Sequence, residues 1–179
     1  MKKYLLITLS VFCFVATYAQ DKSKTTKRVV EKSQIKNTKT HYNYFLLDAV
    51  NDADAAYAEY ENTIQQVWDG KLAPISIKNE KGKAIRAIGD YLELVKTTPV
   101  YQGGDEYRTA VLVYINAVRD KIDAIETLGV LGADKDSDAA LYNEASRKYT
   151  DVSNEAIDLR NKVREKKNEY EKTNYVKKK

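Results

Sequence analysis

Residues 141–170 read LYNEASRKYTDVSNEAIDLRNKVREKKNEY. The seam through this stretch is Tyr142, Ala145, Tyr149, Val152, Ala156, Leu159, Val163, Lys166 and Tyr170. Steps that alternate between three and four residues keep one stripe on one side of an α-helix. Held over several heptads, they give a seam that packs against neighbouring helices. Only Lys166 interrupts the apolar run. The spacing predicts a long helix that starts near Asp136 or Ser137 and runs past Glu169.

Working outward, the same period recurs. His41 to Asp69 carries Tyr42, Leu46, Ala49, Ala53, Tyr57, Tyr60, Ile64 and Val67 on one stripe, widened by Phe45, Val50, Ala56 and Trp68. Asp48, Asn51, Asp52, Asp54, Glu59 and Glu61 fall on the other side. Gly70 is a stop, because glycine accepts the left-handed conformation that closes a helix. Lys71 to Ile77 reads as a connector marked by Pro74. A second helix is expected from Asn79 to Thr97, with Ala84, Ile85, Ile88, Tyr91, Leu92 and Val95 inward. Gly82 and Gly89 weaken it, and Gly89 is read as a site of close helix approach. Pro99 ends it, since the residue before proline avoids the helical region.

Val100 to Gly104 is read as a turn, with Asp105 as the N-cap of a third helix. Tyr107, Val111, Tyr114, Val118, Ile122 and Ile125 face inward along it, and Gly129 and Gly132 bracket its end after Leu128. The expected fold is therefore all-α: an elongated, antiparallel up-down-up-down four-helix bundle over residues 41–171. Short connectors make sequential helices antiparallel neighbours. A helix of about 28 residues is about 42 Å long.

The ends of the chain differ from this body. Met1-Lys2-Lys3 precedes an uncharged apolar run, Tyr4 to Ala16, and Thr17-Tyr18-Ala19 offers small residues at a cleavage site before Gln20. That is the build of a signal peptide over residues 1–19, too short for a membrane span. The reading is an exported protein, periplasmic or at the cell surface, with no transmembrane span after cleavage. Cys13, the only cysteine, lies in the apolar run. The bulky Phe12 before it speaks against lipidation. The remainder has no thiol and is held by packing alone.

The whole chain has 30 Lys and Arg against 26 Asp and Glu. Lys2 and Lys3 leave with the signal, so the rest carries +2. The leader, residues 21–40, holds seven basic and two acidic residues, and the tail, residues 172–179, four basic and none acidic. Residues 41–171 hold 17 basic and 24 acidic. An acidic body thus lies between a basic flexible leader at 20–40 and a basic tail. Such a balance offers no broad positive field for nucleic acid.

The chemistry-bearing residues are sparse. His41 is the only histidine. Catalytic triads, His-based zinc sites and the paired Glu-x-x-His motifs of di-iron bundles need partners that this chain lacks. No catalytic residue is assigned and no cofactor is expected. Asp134, Asp136 and Asp138 have the D-x-D-x-D spacing that opens a calcium loop, where alternating carboxylates converge on a hard cation. The continuation fails, with Ala139 in the place of the loop glycine and Ala145 in the place of the closing glutamate. The competing reading is a capping loop for the fourth helix, where carboxylates suit the N-terminal dipole. Twelve tyrosines follow the signal. Most fall on the inward stripes, and Tyr44, Tyr101 and Tyr175 are the contact candidates outside them.

Pro99 to Ala110 reads PVYQGGDEYRTA. This resembles the P-x-aromatic-x-G-D-x-x-aromatic-R-x-A junction between the second and third helices of a family of small exported bacterial surface proteins, known from spirochaetes and related bacteria with two membranes. Here one extra glycine stands in the junction. The resemblance implies a four-helix bundle and an exported location, and it brings no catalytic residues. The functional expectation is a non-enzymatic envelope or surface module that binds an envelope protein or a glycan. The alternative is a small-ligand- or calcium-binding periplasmic bundle.

Overall fold

The structure, a computed structural model, describes residues 38–175. The signal peptide, residues 20–37 of the leader and residues 176–179 of the tail lie outside the described residues. Four helices follow in order: α1 (Lys39–Trp68), α2 (Ile75–Thr97), α3 (Asp105–Ala133) and α4 (Ala139–Tyr175). They form an all-α, up-down-up-down four-helix bundle, with no strand among the described residues.

The ends of the helices show where local chemistry overrides the period. Thr38 accepts from the backbone N–H of His41, which starts α1 at Lys39, inside the stretch read as leader. Asp69 closes α1 and Gly70 follows at φ +71, the left-handed stop expected from its sequence. The expected connector at 71–77 is shorter than its sequence suggested. Pro74 already has helical backbone angles, and α2 begins at Ile75. Proline is preorganised for a first helical turn and loses nothing by lacking an N–H there. Asp105 is not the cap of α3. Gly104 holds that position, and Asp105 is the first helical residue, where its charge suits the dipole. Asp138, rather than Asp136 or Ser137, immediately precedes α4, and α4 continues through Tyr175 into the stretch read as tail.

The largest departure is at the end of α3. The helix passes through Gly129 and Gly132 to Ala133. These glycines are contact points rather than stops. A Cβ on Gly129 would come within 3.0 Å of Ile64, and one on Gly132 within 2.8 Å of the Trp68 indole nitrogen. The Trp68 indole N–H donates to the Gly129 carbonyl at 3.0 Å. At the other end, a Cβ on Gly104 would overlap the Tyr42 ring, and the Tyr42 hydroxyl donates to the Gly104 carbonyl at 3.1 Å. Glycines at both ends of α3 therefore admit large side chains of α1. Gly89, where the close approach was expected, is exposed and has nothing within 4 Å of its Cβ position.

These contacts run in the same direction along both chains, so α1 and α3 are parallel and directly packed. α2 lies against both, while α4 packs along α3 and reaches α1 mainly through long side chains. Every position of the expected α1 and α3 stripes is buried, and of the residues that widen the α1 stripe Val50 is buried while Phe45, Ala56 and Trp68 are half-buried. α3 also buries Ile115, Ala117, Ala124 and Leu128, because it has neighbours on three sides. Each fully buried aliphatic side chain of this core contributes about 1.5–3 kcal/mol.

The two kinds of glycine should respond oppositely. Gly89→Ala should stabilise the bundle by about 0.5–1 kcal/mol through lost chain entropy alone. Gly132→Ala should cost about 1–3 kcal/mol by forcing Trp68 off its seat. Urea midpoints of the two variants, measured against the parent, check both signs.

Candidate functional site

Three places gather polar side chains. The first lies inside the bundle, between α1, α3 and α4. The Tyr57 hydroxyl donates to Glu61 Oε1 at 2.7 Å and lies 2.6 Å from the Tyr149 hydroxyl. Tyr149 Oη stands 3.1 Å from the same carboxylate oxygen. Lys121 Nζ sits 3.8 Å from the centre of the Tyr57 ring, a cation–π contact. A few turns along, Tyr114 donates to Asp54, whose other oxygen is 3.0 Å from the Arg160 guanidinium. That guanidinium also meets Asn51 Oδ1 at 3.3 Å and lies over the Tyr114 ring.

The electrostatics follow from burial. Burial, with Tyr149 and Glu61 beside it, pushes the Tyr57 hydroxyl far above the ordinary tyrosine range. Burial likewise raises Tyr114, and the hydrogen bond to Asp54 adds to it. Burial pulls the Lys121 ammonium below the usual lysine range, with Glu61 and Asp54 opposing. Each charge in the cluster has an oppositely charged or aromatic partner, so the cluster ties α4 to the rest of the bundle. Sequence reasoning placed Asp54 and Glu61 on the outer side of α1. They sit half-buried at its flank instead. Their spacing of seven, matching that of an inward seam, was the available signal.

The second place is an open groove of about 330 Å³ between the start of α3 and the last turns of α4, lined by Asp105, Glu106, Lys166, Glu169 and Thr173 among others. Lys166, the polar break in the seam, reaches out of the core. Its ammonium lies 2.6 Å from Glu106 and 2.8 Å from Glu169. These hydrogen bonds hold it above the usual lysine range and hold Glu106 below the usual carboxylate range. The groove's charges are thus largely paired.

The third place is the Asp134–Asp138 loop. Asp134 Oδ1 accepts from the backbone N–H of Asp136 at 3.0 Å, and Asp138 Oδ1 from that of Ala140 at 2.7 Å. These two carboxylates stabilise the turn and the start of α4. Among the described residues no three His, Cys, Asp or Glu side chains are grouped to hold a metal. His41 stands exposed at the start of α1, its Nδ1 2.7 Å from the Thr38 hydroxyl. Of the contact tyrosines, Tyr44 is 60% exposed and Tyr175 is exposed beneath Lys39. Tyr101 is half-buried, edge-on to Tyr170. Comparison of the chain with family models, curated proteins and solved structures finds no match.

The buried tyrosines set an alkaline limit to stability. Burial raises Tyr42 to about 12, and it raises Tyr60, Tyr107 and Tyr170 further. A group whose folded pKa lies above its unfolded value of about 10 stabilises the fold fully below pH 10. That contribution falls as the pH rises toward and beyond 12. Helical circular dichroism should therefore hold to about pH 10 and collapse above it, with phenolate absorbance rising in the same step. Phenolate absorbance that reached its plateau before any helix was lost would contradict this.

Proposed function

We propose that this protein is an exported, non-enzymatic helical bundle that works by binding another envelope protein through its outer surface. The observation that carries the reading is the grouping of exposed apolar side chains. In an up-down-up-down bundle, the α1–α2 and α3–α4 connections lie at one end. Leu72, Ile75, Val130 and Leu141, exposed by 38% to 60%, all belong to that end. Exposed apolar side chains gathered at one end mark a contact site, and aliphatic side chains without an aromatic platform suit a protein better than a glycan. The cluster around Tyr57 and Tyr114 supports the same reading, because its carboxylates are already engaged by tyrosine hydroxyls and Arg160. The signal-like start of the chain and the resemblance of the Pro99–Ala110 junction point to the envelope.

A small-ligand-binding bundle is the second reading, and the groove beside Lys166 favours it. It ranks lower because the ligand would have to compete with the ion pairs already formed there.

The test is cross-linking of the exported protein in envelope extracts, then reconstitution with the purified partner. Ile75→Lys, Val130→Lys and Leu141→Lys together should leave the helical spectrum intact and reduce binding at least tenfold. Ile157→Lys, an exposed position midway along α4, should not. Unchanged binding by the triple variant would move the contact elsewhere. Binding to cell-wall polysaccharide alone, or reproducible turnover of a substrate, would overturn the proposal.

A further inference from the structure

The four helices do not contribute equally to the core. α1 buries ten of its 30 residues and α3 eleven of 29. α2 buries five of 23, four of them large aliphatics. α4, with 37 residues, buries only Ala145, Ala156, Val163 and Tyr170. Alanine removes little apolar area from water, so α4 is the longest helix and the least firmly held per residue.

What holds it differs on its two sides. Toward α3 buried alanines alternate with a few large side chains, Arg160, Lys166 and Tyr170 among them. The pairing of Lys166 with Glu106 and the stacking of Arg160 on Tyr114 set an antiparallel register that places Ala156 beside Ala117. Ala117, Ala124, Ala145 and Ala156 are buried but stand outside the main apolar cluster. Toward α1 the contact is largely polar until the Tyr170 ring meets Tyr42. Tyr149 meets Tyr57 and Glu61, Arg160 meets Asp54 and Asn51, and Glu171 accepts from Asn43 at 2.8 Å. Such bonds exchange readily with water, so their net contribution is modest.

The two ends of α4 are also unlike. At its start, the Asp134–Asp138 turn is mostly exposed and joins it to α3. Near its end, Tyr170 is 2% exposed, packs against the Tyr42 and Tyr107 rings, and donates to the Lys39 carbonyl at 3.0 Å. The first is built as a hinge and the second as a latch.

We propose that α4 is a separable strap, hinged at Asp134–Asp138 and latched by Tyr170, which opens as a unit from a three-helix body of α1, α2 and α3. Local opening draws on the elements with the fewest buried apolar contacts. Opening uncovers a face that the closed bundle hides, aromatic and charged, carrying Tyr57, Tyr114, Asp54, Glu61 and Lys121. The closed and open forms therefore present different surfaces, independently of the apolar end described above.

Native-state hydrogen exchange of the exported protein, read by mass spectrometry at increasing urea, tests this. Amides of α4 should exchange through an opening that is less urea-dependent and at least tenfold more frequent than the one that exposes α1 and α3. Asp54→Asn combined with Glu61→Gln should raise α4 exchange about tenfold further while α2 and the interior of α3 keep their protection. Equal protection and equal urea dependence in all four helices of the parent would overturn the proposal. So would a variant in which all four helices lose protection together. The parent measurement decides the question even if the double variant folds poorly.

Discussion

The close, parallel packing of α1 on α3 is the constraint on which the rest depends. It is made by three glycines, one at the N-cap of α3 and two within it, each admitting a large side chain of α1: Gly104 under Tyr42, Gly129 under Ile64 and Gly132 under Trp68. In a square bundle the first and third helices would be diagonal and separated. Here they touch, and α2 and α4 occupy the grooves on either side. A helix placed so centrally must be apolar on most of its circumference, which is what the extra buried positions of α3 record. Gly129 and Gly132 do this at a cost to helix propensity of about 1 kcal/mol each relative to alanine. The Trp68 indole bond to the Gly129 carbonyl and the Tyr42 hydroxyl bond to the Gly104 carbonyl offset part of that cost.

Bringing α1 and α3 together has a consequence on the far side. α4 meets α3 closely but reaches α1 only through long side chains. That gap is filled by tyrosines, whose rings are apolar and whose hydroxyls need partners when buried. The partners are Glu61 and Asp54, and the Asp54 charge pairs across the helices with Arg160. The presence of Tyr57, Tyr114 and Tyr149 here and the half-burial of Asp54 and Glu61 thus have one cause. A side chain long enough to bridge α1 and α4, with a polar tip, suits this position better than leucine.

Much of this was legible in the residues because a 3.6-residue period carries both element type and facing direction. The stripe on α1 and the seam on α4 assigned the inward faces correctly. Asp105, Asp138 and Pro74 show the limit of such reading. Several residue types serve at a helix start, and which one caps is decided by backbone angles that spacing does not encode. Gly129 and Gly132 show a deeper limit. A glycine near the expected end of a helix has the same letter whether it stops the chain or seats a tryptophan. Only the partner distinguishes the two, and the partner lies 61 residues earlier in the case of Trp68 and Gly129. Asp54 and Glu61 were misplaced for a related reason, since a single stripe assumes one neighbour and α1 has three.

The same physics separates where stability resides from where recognition resides. The core of α1, α2 and α3 is built of aliphatic side chains and buried tyrosines, and little of it reaches the surface. The polar cluster is internally paired, and the groove beside Lys166 is largely neutralised by its own ion pairs. A protein whose interior is spent on its own packing must meet its surroundings through what it exposes. Four of its exposed large apolar groups are Leu72, Ile75, Val130 and Leu141. They sit at the end where α3 and α4 are joined, on the side of the bundle away from the Tyr170 cluster. A partner bound at that end would therefore contact the turn about which α4 moves and leave its aromatic anchor untouched.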